Sequence, residues 1–120
     1  MHVLVTGASG MLGRRLTEIL VARGDTVSGL ARSPESIERV TKLGATPIRG
    51  VWTELDLLRA ESAKADEVIH CAYAHDELMS GAVLKAAADD RAAIRAMVEG
   101  LKSGTKTTTT KVFIYCSGTL

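Results

Sequence analysis

Two hydrophobic rhythms alternate along the chain. Short apolar runs occur at His2–Thr6 (HVLVT), Thr26–Ala31 (TVSGLA), Thr46–Arg49 (TPIR), Glu67–Cys71 (EVIHC) and Lys111–Cys116 (KVFIYC). Runs this short, bounded by glycine or polar residues, predict buried strands. Between them the spacing lengthens to that of a helix. Leu12, Leu16, Ile19 and Leu20 recur at helical intervals, and Gly24 suits the stop. Ser33-Pro34-Glu35 starts a second helix: serine caps, proline fits the first helical position and glutamate favours the positive end. Ile37, Val40 and Leu43 carry that helix to Gly44. Leu55, Leu57 and Leu58 predict a brief helix ending before Ala65. A long alanine-rich helix is expected over Ala82–Leu101, with Ile94, Met97, Val98 and Leu101 on one face. The low-complexity run Ser103–Lys111 (SGTKTTTTK) reads as a solvated loop whose threonines could extend the next strand. Regular alternation of strand and helix predicts an α/β chain with a parallel sheet.

The length of 120 residues suits one domain with one core. Aromatic residues are only 3% of the chain, so Val, Leu, Ile and Ala must build that core. The net charge of +1 and the lack of a long basic stretch give no sign of a nucleic-acid or acidic-membrane partner. No apolar run approaches the roughly 20 residues of a membrane span. Met1 leads directly into a strand without a signal-peptide pattern. Cys71 and Cys116 are too few and too widely spaced for a metal site, and their usage fits a reduced, cytoplasmic setting.

The candidate chemistry begins at "VTGASGMLGRRL", where Gly7, Gly10 and Gly13 lie between the first strand and the first helix. The first amides of a helix lack internal acceptors, and the helix dipole favours negative charge there. Glycine lets the backbone turn sharply and lets a pyrophosphate approach closely. The alternative is a plain tight turn; the surrounding βαβ unit favours nucleotide binding. A triphosphatase loop is excluded, because Arg14 and Arg15 stand where that loop needs Lys and Ser or Thr. After the second strand, Arg32-Ser33 replaces the acidic residue that would bind the ribose hydroxyls of NAD. A guanidinium and a hydroxyl suit the 2′-phosphate of NADP; the alternative is a solvated arginine near a helix start.

With these residues in place, the chain resembles the short-chain dehydrogenase/reductase superfamily. More narrowly, it resembles the extended or atypical NAD(P)-dependent epimerase/dehydratase-like group. The stretches "VTGASGMLGRRL", "GLARS", "ADEVIHCAYAHD", "DDRAAIRAMVEGL" and "VFIYCSGT" carry the resemblance across the whole chain. It implies a Rossmann-like doubly wound parallel sheet of strand order 3-2-1-4-5 with right-handed crossovers, truncated after the fifth strand. Residues 1–120 would be the N-terminal portion of a longer NAD(P)-binding domain. Gly7, Ala8, Ser9, Gly10, Met11, Leu12 and Gly13 would surround the pyrophosphate. Arg32 and Ser33 would take the 2′-phosphate. Cys71, Ala72 and Tyr73 would line the cofactor after the fourth strand. Ser117 and Thr119 lie where the family places its catalytic Ser or Thr.

Two departures from the family matter. Gly50-Val51 stands where relatives carry Gly-Asp, so Val51 offers adenine only backbone and packing, with Trp52 nearby. The family's Tyr-x-x-x-Lys pair is missing: Glu77 lies four residues after Tyr73, and Thr119 four after Tyr115. The resemblance therefore implies the cofactor-binding part of an oxidoreductase or epimerase, NADP favoured over NAD, inactive alone. The alternative is a dinucleotide-sensing protein without turnover. An open edge on the fifth strand leads us to expect self-association or a further segment.

His70 reads as a packed structural histidine inside a strand. His75-Asp76 is either a loop pair or a proton-transfer pair at the carboxyl edge of the sheet. Asp89, Asp90 and Arg91 read as a solvated helix face, and Arg14 and Arg15 as surface or phosphate-neutralising residues. Cys71 and Cys116 are expected on adjacent strands, with Cα atoms about 5 Å apart as free thiols.

Overall fold

A computed structural model describes residues 1–72, 83–104 and 110–115. In chain order the elements are β1 (His2–Thr6), α1 (Met11–Ala22), β2 (Thr26–Ala31), α2 (Pro34–Lys42) and β3 (Thr46–Arg49). α3 (Leu55–Ala63), β4 (Glu67–His70), α4 (Val83–Ser103) and β5 (Val112–Tyr115) follow. All four strand pairings are parallel, and the sheet order is β3-β2-β1-β4-β5. This is the Rossmann-like doubly wound arrangement expected from the sequence.

Alternation along the strands splits the core into two layers. Val3 and Val5 of β1 point to one side, with Val27, Ala31, Val40 and Ile69, beneath α1 and α2. Leu4 points to the other, with Leu30, Leu58, Val68, Ala96 and Met97, beneath α3 and α4. Thr6 and His70 share the second face, two residues along from Leu4 and Val68. This parity decides which helix each reaches.

Helix α1 departs from its sequence pattern. Its buried residues are Gly13, Thr17 and Leu20, whereas Leu12 is 53% and Ile19 48% exposed. Gly13 is responsible. A Cβ there would fall on the Gly7 carbonyl, so the helix approaches the preceding loop through its small residues. Thr17 fits that narrow face by returning its hydroxyl to the Gly13 carbonyl at 2.7 Å. Helix α4 buries Ala93, Ala96, Met97 and Leu101, with Ile94 and Val98 half-buried at its margins.

β4 and β5 are adjacent, in register His70 to Tyr115. Cys71 follows β4, while Cys116 lies outside the described residues, so only the strand order behind the expected pair is established. β5 forms one edge of the sheet, with Val112, Ile114 and Tyr115 partly exposed. Among the described residues no helix is long and apolar enough to cross a membrane, and no cluster of metal-ligating side chains occurs.

Candidate functional site

The carboxyl ends of β1 and β4 meet where the glycine loop begins. Gly7 adopts φ +70°, a left-handed conformation costly for residues with a Cβ. A Cβ there would also lie 2.8 Å from the Ala72 nitrogen and 2.9 Å from the Cys71 carbonyl carbon. Gly7 thus turns the chain while two backbones touch. Its carbonyl accepts from the Gly10 amide at 3.0 Å, and the first helical bond runs from the Arg14 amide to the Gly10 carbonyl at 2.8 Å. The amides of Met11, Leu12 and Gly13 precede that bond, so the helix gives them no acceptor. Gly10 occupies the N-cap position and supplies no side-chain cap, and the first turn holds no acidic residue. Among the described residues no side-chain cap or first-turn carboxylate covers the positive end of α1.

The side chains around this cradle differ in their availability. Ala8 is fully buried in the core, so only its backbone borders the loop. Ser9 is half-buried. Met11 is 88% exposed, beside exposed Leu12, giving the site an apolar rim. Cys71 and Ala72 are half-buried at the end of β4. Arg32 leaves the end of β2 exposed, with no ion-pair partner among the described residues. Ser33 caps α2: its Oγ accepts from the Ser36 amide at 3.1 Å and donates to the Ser36 hydroxyl at 2.9 Å. Its hydroxyl is committed to the helix start, which limits the phosphate role the sequence suggests. Val51 is half-buried; its amide donates to the Glu54 carboxylate at 3.0 Å, and its carbonyl closes a turn with the Glu54 amide at 3.0 Å. Trp52 packs against the α3/α4 core layer and tilts toward His70, with ring centroids 6.2 Å apart. Tyr73, His75, Asp76, Ser117 and Thr119 lie outside the described residues.

Two features escape the sequence patterns. Arg49 pairs with Ala31 across β2 and β3, placing a second exposed arginine at that end of the sheet. The second feature is a chain of hydrogen bonds under the site. His70 is fully buried, with Nδ1 2.6 Å from the Thr6 hydroxyl and Nε2 2.8 Å from Asp90 Oδ1. The Tyr115 hydroxyl donates to Asp90 Oδ2 at 2.6 Å, and its ring stacks on His70 at 5.8 Å. The structural role expected for His70 holds. Asp90 departs from the solvated role its neighbours suggest, because the helix turns it toward β4 and β5. Burial holds the His70 pKa below the ordinary histidine value, with the Asp90 hydrogen bond and charge opposing that shift.

Comparison with known proteins agrees with this fold. Residues 3–119 match the NAD dependent epimerase/dehydratase family. The uncharacterized protein YLL056C of Saccharomyces cerevisiae is 34% identical over 122 aligned residues, which cover all of this chain and 38% of that protein. The UDP-glucose 4-epimerase of Bifidobacterium longum, solved with NAD+ and UDP, superposes with a TM-score of 0.72 at 19% identity. It covers 98% of this chain and 37% of its own. A second solved structure, AtPrR2 with NADP+ and (+)pinoresinol, is 31% identical with a TM-score of 0.50, over 59% of this chain and 25% of its own. The chain therefore spans less than two fifths of the length of these relatives.

Proposed function

The chain belongs to the NAD dependent epimerase/dehydratase family, and from that premise we propose that residues 1–120 are the dinucleotide-binding part of an oxidoreductase or epimerase, with NADP preferred over NAD. The observation that carries the reading is the cradle itself. Gly7 turns left-handed against the end of β4, and the uncapped start of α1 faces outward. A Cβ at Gly7 or Gly13 would collide with the backbone that shapes it. A pyrophosphate fits such a place, receiving the amides of Met11, Leu12 and Gly13 and the positive end of the helix dipole.

In this reading Arg32 faces the 2′-phosphate, with Arg49 one strand away. Cys71 and Ala72 border the ribose and pyrophosphate, and Met11 and Leu12 shield the cofactor from water. Val51 contributes backbone and packing to the adenine. The dinucleotide supplies hydride donation and acceptance when bound. Proton transfer belongs to groups this chain does not carry in the family's usual form, since no Tyr-x-x-x-Lys occurs in it. Ser117 and Thr119 are proposed for the substrate end of the site. Residues 1–120 alone are expected not to turn over a carbonyl substrate. The exposed edge of β5 is where a further strand or a second copy would pair.

Titration calorimetry with NADPH and NADH at fixed salt tests the reading. NADPH should bind more tightly. Arg32→Ala should weaken NADPH by about ten- to a hundredfold, the range of a charge-assisted bond to phosphate, and barely affect NADH. Equal affinity of the parent for both dinucleotides would remove the role given to Arg32. Binding of neither would remove the cofactor reading.

A further inference from the structure

Thr6 is the last residue of β1, immediately before the glycine turn. Its Oγ1 accepts from the Cys71 amide at 3.1 Å and the Ala72 amide at 3.2 Å. The Cys71 amide is shared with the Thr6 carbonyl, also at 3.1 Å. A hydroxyl has two lone pairs and one proton. With both lone pairs turned to amides, the proton has His70 Nδ1 as its partner, at 2.6 Å. Nδ1 must then accept, so the ring's own proton is on Nε2, donated to Asp90 Oδ1 at 2.8 Å. The neutral ring satisfies every member of this chain in one arrangement. A second proton on Nδ1 would set a donor against a donor. Thr6 could answer only by turning its own proton toward an amide and losing that bond. The amides at stake are those beside which Gly7 makes its turn.

We propose that His70 is a positioning residue of the dinucleotide site: as the neutral Nε2–H tautomer it orients the Thr6 hydroxyl to pin the Cys71 and Ala72 amides beside Gly7, and its protonation in acid releases that edge and weakens dinucleotide binding. The inference rests on the cofactor reading above. The groups facing the ring are Thr6 from β1, Trp52 from the segment between β3 and α3, Asp90 from α4 and Tyr115 from β5. Among these described residues Asp90 carries the only charge, and it opposes the desolvation that favours the neutral ring.

Imidazole ¹⁵N shifts of the full chain should show His70 protonated at Nε2 and bare at Nδ1 at neutral pH; the opposite tautomer would overturn the proposal without any ligand present. NADH, which lacks the titrating 2′-phosphate, is then titrated between about pH 7.5 and about pH 5.5. The parent should lose affinity as the ring takes up its proton, by up to about five- to tenfold when protonation is complete, the scale of one net hydrogen bond. His70→Gln offers an amide in place of the ring and cannot titrate, so its acid loss should disappear. Asp90→Asn removes the charge that supports protonation, so its acid limb should move to lower pH. A parent affinity that stays flat down to a pH at which the ¹⁵N shifts show the ring protonated, or the same acid loss in His70→Gln, would overturn the proposal. The expected tautomer with no NADH binding at any pH would instead overturn the cofactor reading, and this inference with it.

Discussion

At Gly7 two costs coincide, a left-handed backbone and a neighbouring strand where a Cβ would stand. Gly7→Ala should destabilise the fold by about 2 kcal/mol or more, since the left-handed conformation alone costs roughly 1–2 kcal/mol. Gly10→Ala should cost less, because its φ of −77° is ordinary and its Cβ would meet only the Gly7 carbonyl oxygen, at 3.3 Å. Urea denaturation of the two variants checks the order; equal losses would mean that the turn at Gly7 is not under this constraint. Ser33 poses a different question, because its hydroxyl already caps α2. Ser33→Ala should lower stability by about 1 kcal/mol, the usual worth of such a cap. Ser33→Asp should keep the cap yet place a carboxylate beside Arg32, weakening NADPH more than NADH. If Ser33→Ala leaves the melting temperature unchanged, the capping bond contributes nothing. The glycines were legible in the sequence because their physics is local: strand end, turn and helix start are consecutive. The capping role of Ser33 was legible for the same reason, and its conflict with phosphate binding appeared only with the Ser36 contacts.

Helix α1 shows where periodicity misleads at the scale of an element. Four apolar residues at helical spacing imply a buried face through Leu12 and Ile19. The structure turns those outward because Gly13 seats the helix against the glycine loop. A hydrophobic pattern counts side chains that want burial and carries no record of a backbone that must come close. Leu20→Ala should therefore cost about 2–5 kcal/mol, as truncation of a buried leucine does, while Ile19→Ala should stay within about 1 kcal/mol. Thermal melts of both variants decide it; comparable losses would place Ile19 back in the core. Asp90 escaped the sequence reading for a related reason. On α4 it sits between Asp89 and Arg91 and looks like part of a wet face, yet packing of α4 on β4 and β5 gives it two partners from separate strands. No local spacing encodes a contact between residues 20 positions apart.

Across the whole molecule, the order β3-β2-β1-β4-β5 was legible through the family resemblance, since right-handed crossovers narrow the arrangements of parallel strands joined by helices without choosing among them. That order buries His70 at the carboxyl end of β4, between β1 and β5 on the sheet's α3/α4 face, and with it a titratable group. The folded protein holds the ring neutral, with its pKa below the ordinary value of 6.5, chiefly through desolvation. The unfolded chain takes up a proton near that ordinary value. Between the two, the unfolded state binds more protons than the folded state, so stability rises with pH. The contribution is complete above the unfolded value and is lost as pH falls toward the folded one, at up to about 1.4 kcal/mol per pH unit for a single proton. Thermal melts should therefore be level from about pH 8 to about pH 7 and decline below about pH 6.5, ahead of the carboxylates, whose usual range lies near about 4. His70→Gln should flatten the decline in that window and leave the later carboxylate loss in place. A parent whose melting temperature is unchanged down to about pH 5 would show that the ring charges in the folded state as readily as in the unfolded one. The buried bond from Thr6 to Nδ1 would then have no hold on its protonation.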